Sequence, residues 1–131
     1  MKTILAVVDE NERVNPWWTG LPPAGYVIRH AADERAIEQA LRKEPPDLLI
    51  LDLDLPNSQV LCRRFRFRSE APILVLATHL DKAEQAVGQD GCADDFLLKP
   101  ISPRQLQVRI QVALQRSEKR EFRQRSGQAI G

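Results

Sequence analysis

Five short runs of apolar residues, separated by segments with helical spacing, constrain the fold more than any other feature. They are Ile4 to Val8, Tyr26-Val27-Ile28, Leu48 through Leu53, Ile73 to Ala77, and Phe96-Leu97-Leu98. Each run is continuous rather than alternating, as expected of strands covered on both faces. The segments between them supply the covers. Asp33 is placed to cap a helix whose Ala36, Ile37, Ala40 and Leu41 share one face, before Pro45-Pro46 stop it. Val60, Leu61, Phe65 and Phe67 mark a helix after the third strand, and Asp81 is expected to cap one that carries Ala83, Ala86 and Val87 and ends near Gly91. Ser102-Pro103 sets a cap and a first-turn proline before the stripe of Leu106, Ile110, Ala113 and Leu114. The alternation predicts an α/β domain built on a doubly wound parallel sheet.

Two segments depart from that pattern. Between the first and second strands, Pro16, Gly20, Pro22 and Pro23 oppose a regular crossover helix, so one or two turns at most are expected. Trp17 and Trp18 would then cover the sheet face that a full helix would occupy. From Ser117 the chain turns polar and loses its periodicity, which reads as a linker or helix extension (117–131) beyond a domain of residues 1–116.

Bulk properties narrow the function. The 131 residues suffice for one domain with its own core. A net charge of +1 gives no global reason to expect nucleic acid or an acidic substrate. The basic run Arg63-Arg64-Phe65-Arg66-Phe67-Arg68 reads as a solvated helix face. Cys62 and Cys92 lack any CxxC spacing and read as reduced thiols. No apolar run approaches the roughly 18 residues of a membrane span, and the first run is too short for a signal-peptide core. A cytoplasmic protein without a membrane partner is expected.

Chemistry concentrates where strands end. Asp9-Glu10 follows the first strand, and Asp52 and Asp54 close the third. In a doubly wound sheet these strands can be neighbours, and the crevice at their C-terminal ends is the usual ligand site. Carboxylates gathered there need a cation, and hard oxygen donors favour Mg²⁺ over zinc or copper. Lys99, at the end of the fifth strand, can reach the same rim as a point charge for an anion. A nucleophilic carboxylate, a Mg²⁺ and a lysine are the parts of phosphoryl transfer to aspartate, and Asp52, ending the most apolar strand, is the natural nucleophile. A nucleotide- or flavin-binding reading is disfavoured, because Asp9-Glu10-Asn11-Glu12 would repel phosphate. His30 and His79 carry no assigned role. Asp94-Asp95 reads as a surface turn, and the Asp54 side chain is expected to face away from the metal.

Three stretches resemble the response-regulator receiver family. They are Val8-Asp9-Glu10, Pro46-Asp47-Leu48-Leu49-Ile50-Leu51-Asp52-Leu53-Asp54-Leu55-Pro56, and Cys92-Ala93-Asp94-Asp95-Phe96-Leu97-Leu98-Lys99-Pro100. The resemblance spans roughly residues 2 to 116. It implies a five-stranded flavodoxin-like fold with strand order 2-1-3-4-5, Asp52 as phosphoacceptor, and Asp9, Glu10 and Asp52 as Mg²⁺ ligands. The backbone carbonyl of Asp54 would complete the metal shell, and Lys99, followed by a cis proline, would be the family's lysine. Such a domain is a signalling receiver rather than an enzyme, at most catalysing its own phosphorylation and dephosphorylation. Its partners would be a histidine kinase or phosphotransfer protein, with room for an output domain after residue 131 and for a homodimer, and no direct contact with nucleic acid. A pseudo-receiver, using the fold as a phosphorylation-independent interaction module, is the alternative.

Departures from the family pattern bear on switching. Ala77 stands where the family has a phosphate-sensing Thr or Ser, with Thr78 one residue later. The turn after Pro56 is about two residues short and lacks Asp-Gly, and the irregular first crossover would weaken kinase docking. Phe96 is the fifth-strand aromatic that would follow the hydroxyl inward. Without a hydroxyl at Ala77 the usual switch is expected to be impaired, and Thr78 is expected to substitute only if its strand slips by one residue.

Overall fold

The structure is a computed structural model that describes residues 2–9, 25–31, 33–89 and 91–130, with side chains to Glu118. Five strands form one parallel sheet: β1 (Lys2–Val7), β2 (Tyr26–His30), β3 (Leu48–Asp52), β4 (Ile73–Ala77) and β5 (Asp95–Leu98). Their spatial order is β2-β1-β3-β4-β5. The described helices are α1 (Glu34–Lys43), α2 (Ser58–Arg68), α3 (Leu80–Val87) and α4 (Pro103–Ile130). The expected α/β class and strand order are those observed. The Pro- and Trp-rich segment and Glu10 lie outside the described residues.

The continuous apolar runs divide by parity between two cores. Leu5, Val7, Leu49, Leu51, Ile73, Val75 and Ala77 point to one face, where Ile37 of α1, Cys62 and Phe65 of α2, and Ala83 of α3 pack on them. Ile4, Ala6, Leu48, Ile50, Leu74 and Leu76 point to the other, against Leu106 and Ile110 of α4. Each central strand thus buries both faces, which is why none shows a polar alternation. The burial of these side chains is the main driving force for the fold.

The helix starts were only partly legible. Asp33 caps α1 as expected, its Oδ1 accepting from the Ala36 N–H at 2.8 Å. Ser102 precedes Pro103 at the start of α4, with Oγ accepting from Gln105 N–H at 3.4 Å. The cap of α3, however, is His79 rather than Asp81, which lies inside the first turn, where its charge suits the helix dipole. The helix ends at Val87, short of Gly91. In α2 the inward face is Ser58, Cys62 and Phe65, whereas Phe67 is 92% exposed and Val60 also faces solvent. Asn57, in the left-handed conformation (φ 60°), sets that helical phase in the shortened turn. Ser58 then anchors the turn by donating its hydroxyl to the Leu53 carbonyl at 2.8 Å.

Two further expectations are corrected. Cys62 and Cys92 are disulfide-bonded, with their Cα atoms 5.9 Å apart. Their pairing needs no CxxC spacing, because α2 and the turn before β5 meet in space although 30 residues separate the cysteines. Asp94 and Asp95 are not simply a solvated turn. Asp94 accepts from the Ile73 N–H at 2.8 Å and pairs with Arg66 at 2.6 Å, while Asp95 opens β5 and pairs with Arg109 at 3.0 Å.

Candidate functional site

The sheet brings the chemically interesting residues to one edge. β1 and β3 are neighbours in register, Val7 beside Leu51. Asp9 therefore leaves β1 on the same C-terminal edge at which Asp52 ends β3. On the other side of β3, Asp52 lies level with Leu76 of β4, and Ala77 level with Leu98 of β5. Lys99 follows Leu98 directly, its N–H donating to the Ala77 carbonyl at 2.8 Å, and the Lys99–Pro100 peptide is cis.

Among the described residues Asp52 is the most deeply placed charged group, 1% exposed. Both its oxygens are engaged. Oδ2 accepts from Lys99 Nζ at 2.7 Å, and Oδ1 accepts from the Asp54 N–H at 2.9 Å. A buried carboxylate is tolerated only with such partners. Lys99 thus reaches the rim on which Asp52 lies.

The Asp54 side chain turns toward the ends of β4 and β5: Oδ2 lies 3.2 Å from Lys99 Nζ and accepts the Thr78 hydroxyl at 2.6 Å. Oδ1 lies 3.4 Å from the Thr78 backbone N–H. Burial pushes the Asp54 carboxyl upward, but the hydrogen bonds from Thr78 and Lys99 outweigh it and hold the group below the usual carboxylate range. Burial likewise favours the neutral form of Lys99. The bonds and charges of Asp52 and Asp54 prevail, and the ammonium is held above its ordinary value.

The β4 register shows no slip: Ala77 is fully buried on the α2–α3 face, and Thr78 lies just past the strand. From there the Thr78 hydroxyl donates to Asp54 Oδ2. Phe96 is half-buried and packs against the same core as Ala77.

The acid pair is only half described. Asp9 is exposed at the end of β1, and Glu10 lies outside the described residues. Among the described residues no three His, Cys, Asp or Glu side chains gather closely enough to make a metal cluster. The donors present near Asp52 are oxygens, which suit a hard divalent cation rather than a soft one.

With this geometry in place, the likeness to known proteins is specific. The family model for the response regulator receiver domain matches residues 4–111, and the chain belongs to that family. It is 36% identical over 122 residues to the transcriptional regulatory protein GltR of Pseudomonas aeruginosa, covering 89% of this chain and 50% of that one. It is also 36% identical over 123 residues to the alkaline phosphatase synthesis transcriptional regulatory protein PhoP of Bacillus subtilis, with the same coverage. The chain thus spans about half the length of these relatives. Among solved structures, NtrX of Brucella abortus superposes with a TM-score of 0.81 at 27% identity, over 95% of this chain and 29% of that one. A CheY-like receiver domain protein of Methanospirillum hungatei shares the fold at a TM-score of 0.76 and 23% identity, over 92% and 98% of the two chains. This is a receiver domain of the two-component response-regulator type, a signalling rather than a catalytic module.

Proposed function

We propose that this receiver accepts a phosphoryl group on Asp52. The observation that carries the reading is the buried Asp52 carboxylate at the end of the central strand, held by Lys99 Nζ at 2.7 Å. A carboxylate oxygen of Asp52 attacks phosphorus, the bond from phosphorus to the donor atom breaks (an imidazole nitrogen of a phosphohistidine, or an oxygen of acetyl phosphate), and the donor leaves with that electron pair. Lys99 stays within reach of the charge that develops on the phosphoryl oxygens. Asp9, Glu10, Asp52 and the Asp54 backbone carbonyl are the groups that would hold Mg²⁺. When bound, the ion would supply positive charge that offsets the repulsion between the carboxylates and the phosphoryl oxygens.

The physiological donor in this reading is a histidine kinase or phosphotransfer protein. Residues 1–116 form the receiver, and residues 117–131 carry its last helix toward an output domain, as suits a chain whose transcriptional-regulator relatives are about twice as long. The same reading places the protein in the cytoplasm, leaves nucleic acid to the output domain, and allows a homodimer. No described helix is long and apolar enough to cross a membrane.

Incubation with acetyl phosphate and Mg²⁺, read by intact mass, tests the reading. The chain is expected to gain one phosphoryl group, and the gain is expected to vanish when Mg²⁺ is chelated. A chain that stays unmodified, or is modified equally well without divalent cation, contradicts it.

A further inference from the structure

The Asp54 carboxylate already occupies the groups that an incoming phosphoryl anion needs. Its Oδ2 takes the Thr78 hydroxyl at 2.6 Å and lies 3.2 Å from Lys99 Nζ, while its Oδ1 faces the Thr78 N–H at 3.4 Å. These three donors converge from the ends of β4 and β5 on one side of Asp52. They are the described hydroxyl, ammonium and amide that an anion attached to Asp52 would meet there. Asp54 is moreover fixed in place by its own backbone, whose N–H donates to Asp52 Oδ1 at 2.9 Å. The residue therefore orients the nucleophile with its amide, while its side chain holds Lys99 and Thr78 beside it.

We propose that Asp54 is a positioning residue that acts as an internal competitor of the phosphoryl group. Its carboxylate holds Lys99 and Thr78 in the unmodified protein and must release them before the donor can bind productively. The inference rests on Asp52 being the phosphoacceptor. A phosphoryl group carries close to two negative charges at neutral pH, so placing it beside the Asp54 carboxylate sets like charges against each other across the same lysine. Charge-assisted bonds of this kind are stronger than neutral ones, and giving up the Thr78 and Lys99 contacts opposes donor binding more than the chemical step. Competition of this form raises the donor concentration at half-saturation and leaves the maximal rate little changed.

The experiment compares phosphorylation time courses of the full chain, Asp54→Asn, Asp54→Glu and Asp52→Asn across acetyl phosphate concentrations in saturating Mg²⁺, followed by intact mass. Asp54→Asn keeps the shape and an oxygen to accept from Thr78 but removes the charge. It is expected to phosphorylate about tenfold faster at low donor concentration, through a lower half-saturating concentration. Asp54→Glu, which restores the charge, is expected to stay near the unsubstituted protein. If Asp52 is labelled but Asp54→Asn is no faster, the competitor role is overturned and the phosphoacceptor reading stands. If no chain is labelled, or Asp52→Asn is labelled as well as the others, both fall together.

Discussion

Reduction of the Cys62–Cys92 bond is expected to lower the unfolding free energy by about 3–4 kcal/mol, from the closed loop of 30 residues that the bond removes from the unfolded chain's freedom. Folded-state contacts around the bond should change little, because the two sites are also joined without it. Arg66 of α2 donates to the Cys92 carbonyl at 3.0 Å and pairs with Asp94, which in turn accepts the Ile73 N–H at the start of β4. The loss is therefore expected to be mainly one of stability and not of fold. Urea unfolding with and without reductant measures it, and a Cys62→Ala/Cys92→Ala double variant should be indifferent to reductant. Free thiols on both cysteines in oxidised protein, or an unfolding midpoint that ignores reductant, would contradict the bridge. The size matters in a reducing compartment, where such bonds rarely persist, because it is a large fraction of a typical domain's stability.

Lys99→Ala is expected to damage both stability and phosphorylation. The ammonium lies between the Asp52 and Asp54 carboxylates, at 2.7 and 3.2 Å. Without it, two like charges face each other, one of them buried at the end of β3. Removing one partner of a fully buried pair costs several kcal/mol, but the lysine side chain keeps some exposure, so about 2 kcal/mol is the expected loss. The rate of phosphorylation by acetyl phosphate should fall by about a hundredfold, the usual scale for losing one charge-stabilising group. The two effects separate in the double variant Asp52→Asn/Lys99→Ala, which removes the buried charge along with its partner and should recover most of the stability. An unchanged midpoint in Lys99→Ala would show that the pair contributes little to the fold.

What was legible in the sequence has a physical pattern. The strands were readable because strands buried on both faces need continuous apolar runs, and Leu48 to Leu51 and Ile73 to Ala77 leave no other reading. The Asp52–Lys99 pair was readable because both residues end strands, where the parallel sheet dictates which edge they share. What failed lies just beyond the strands or depends on helix phase. The contacts of Asp54 were not legible, because it sits in the turn after β3, where strand alternation no longer governs direction, and they join it to Thr78 and Lys99, far away in sequence. The Thr78–Asp54 contact left no local trace either, since it joins the first residue past β4 to the turn after β3. The inward face of α2 was not legible, since the turn through Asn57 phases the helix so that Cys62 and Phe65 face inward and Phe67 faces solvent. The cysteine pairing left no local trace, since it depends on how α2 meets the turn before β5.

The central claim is that Asp52 takes the phosphoryl group. Borohydride reduction of protein phosphorylated by acetyl phosphate in Mg²⁺ converts an aspartyl phosphate to homoserine, which peptide mass mapping locates. Homoserine is expected at position 52 and nowhere else, with none formed in Asp52→Asn. Homoserine at another aspartate, or an acyl phosphate that persists in Asp52→Asn, would contradict it.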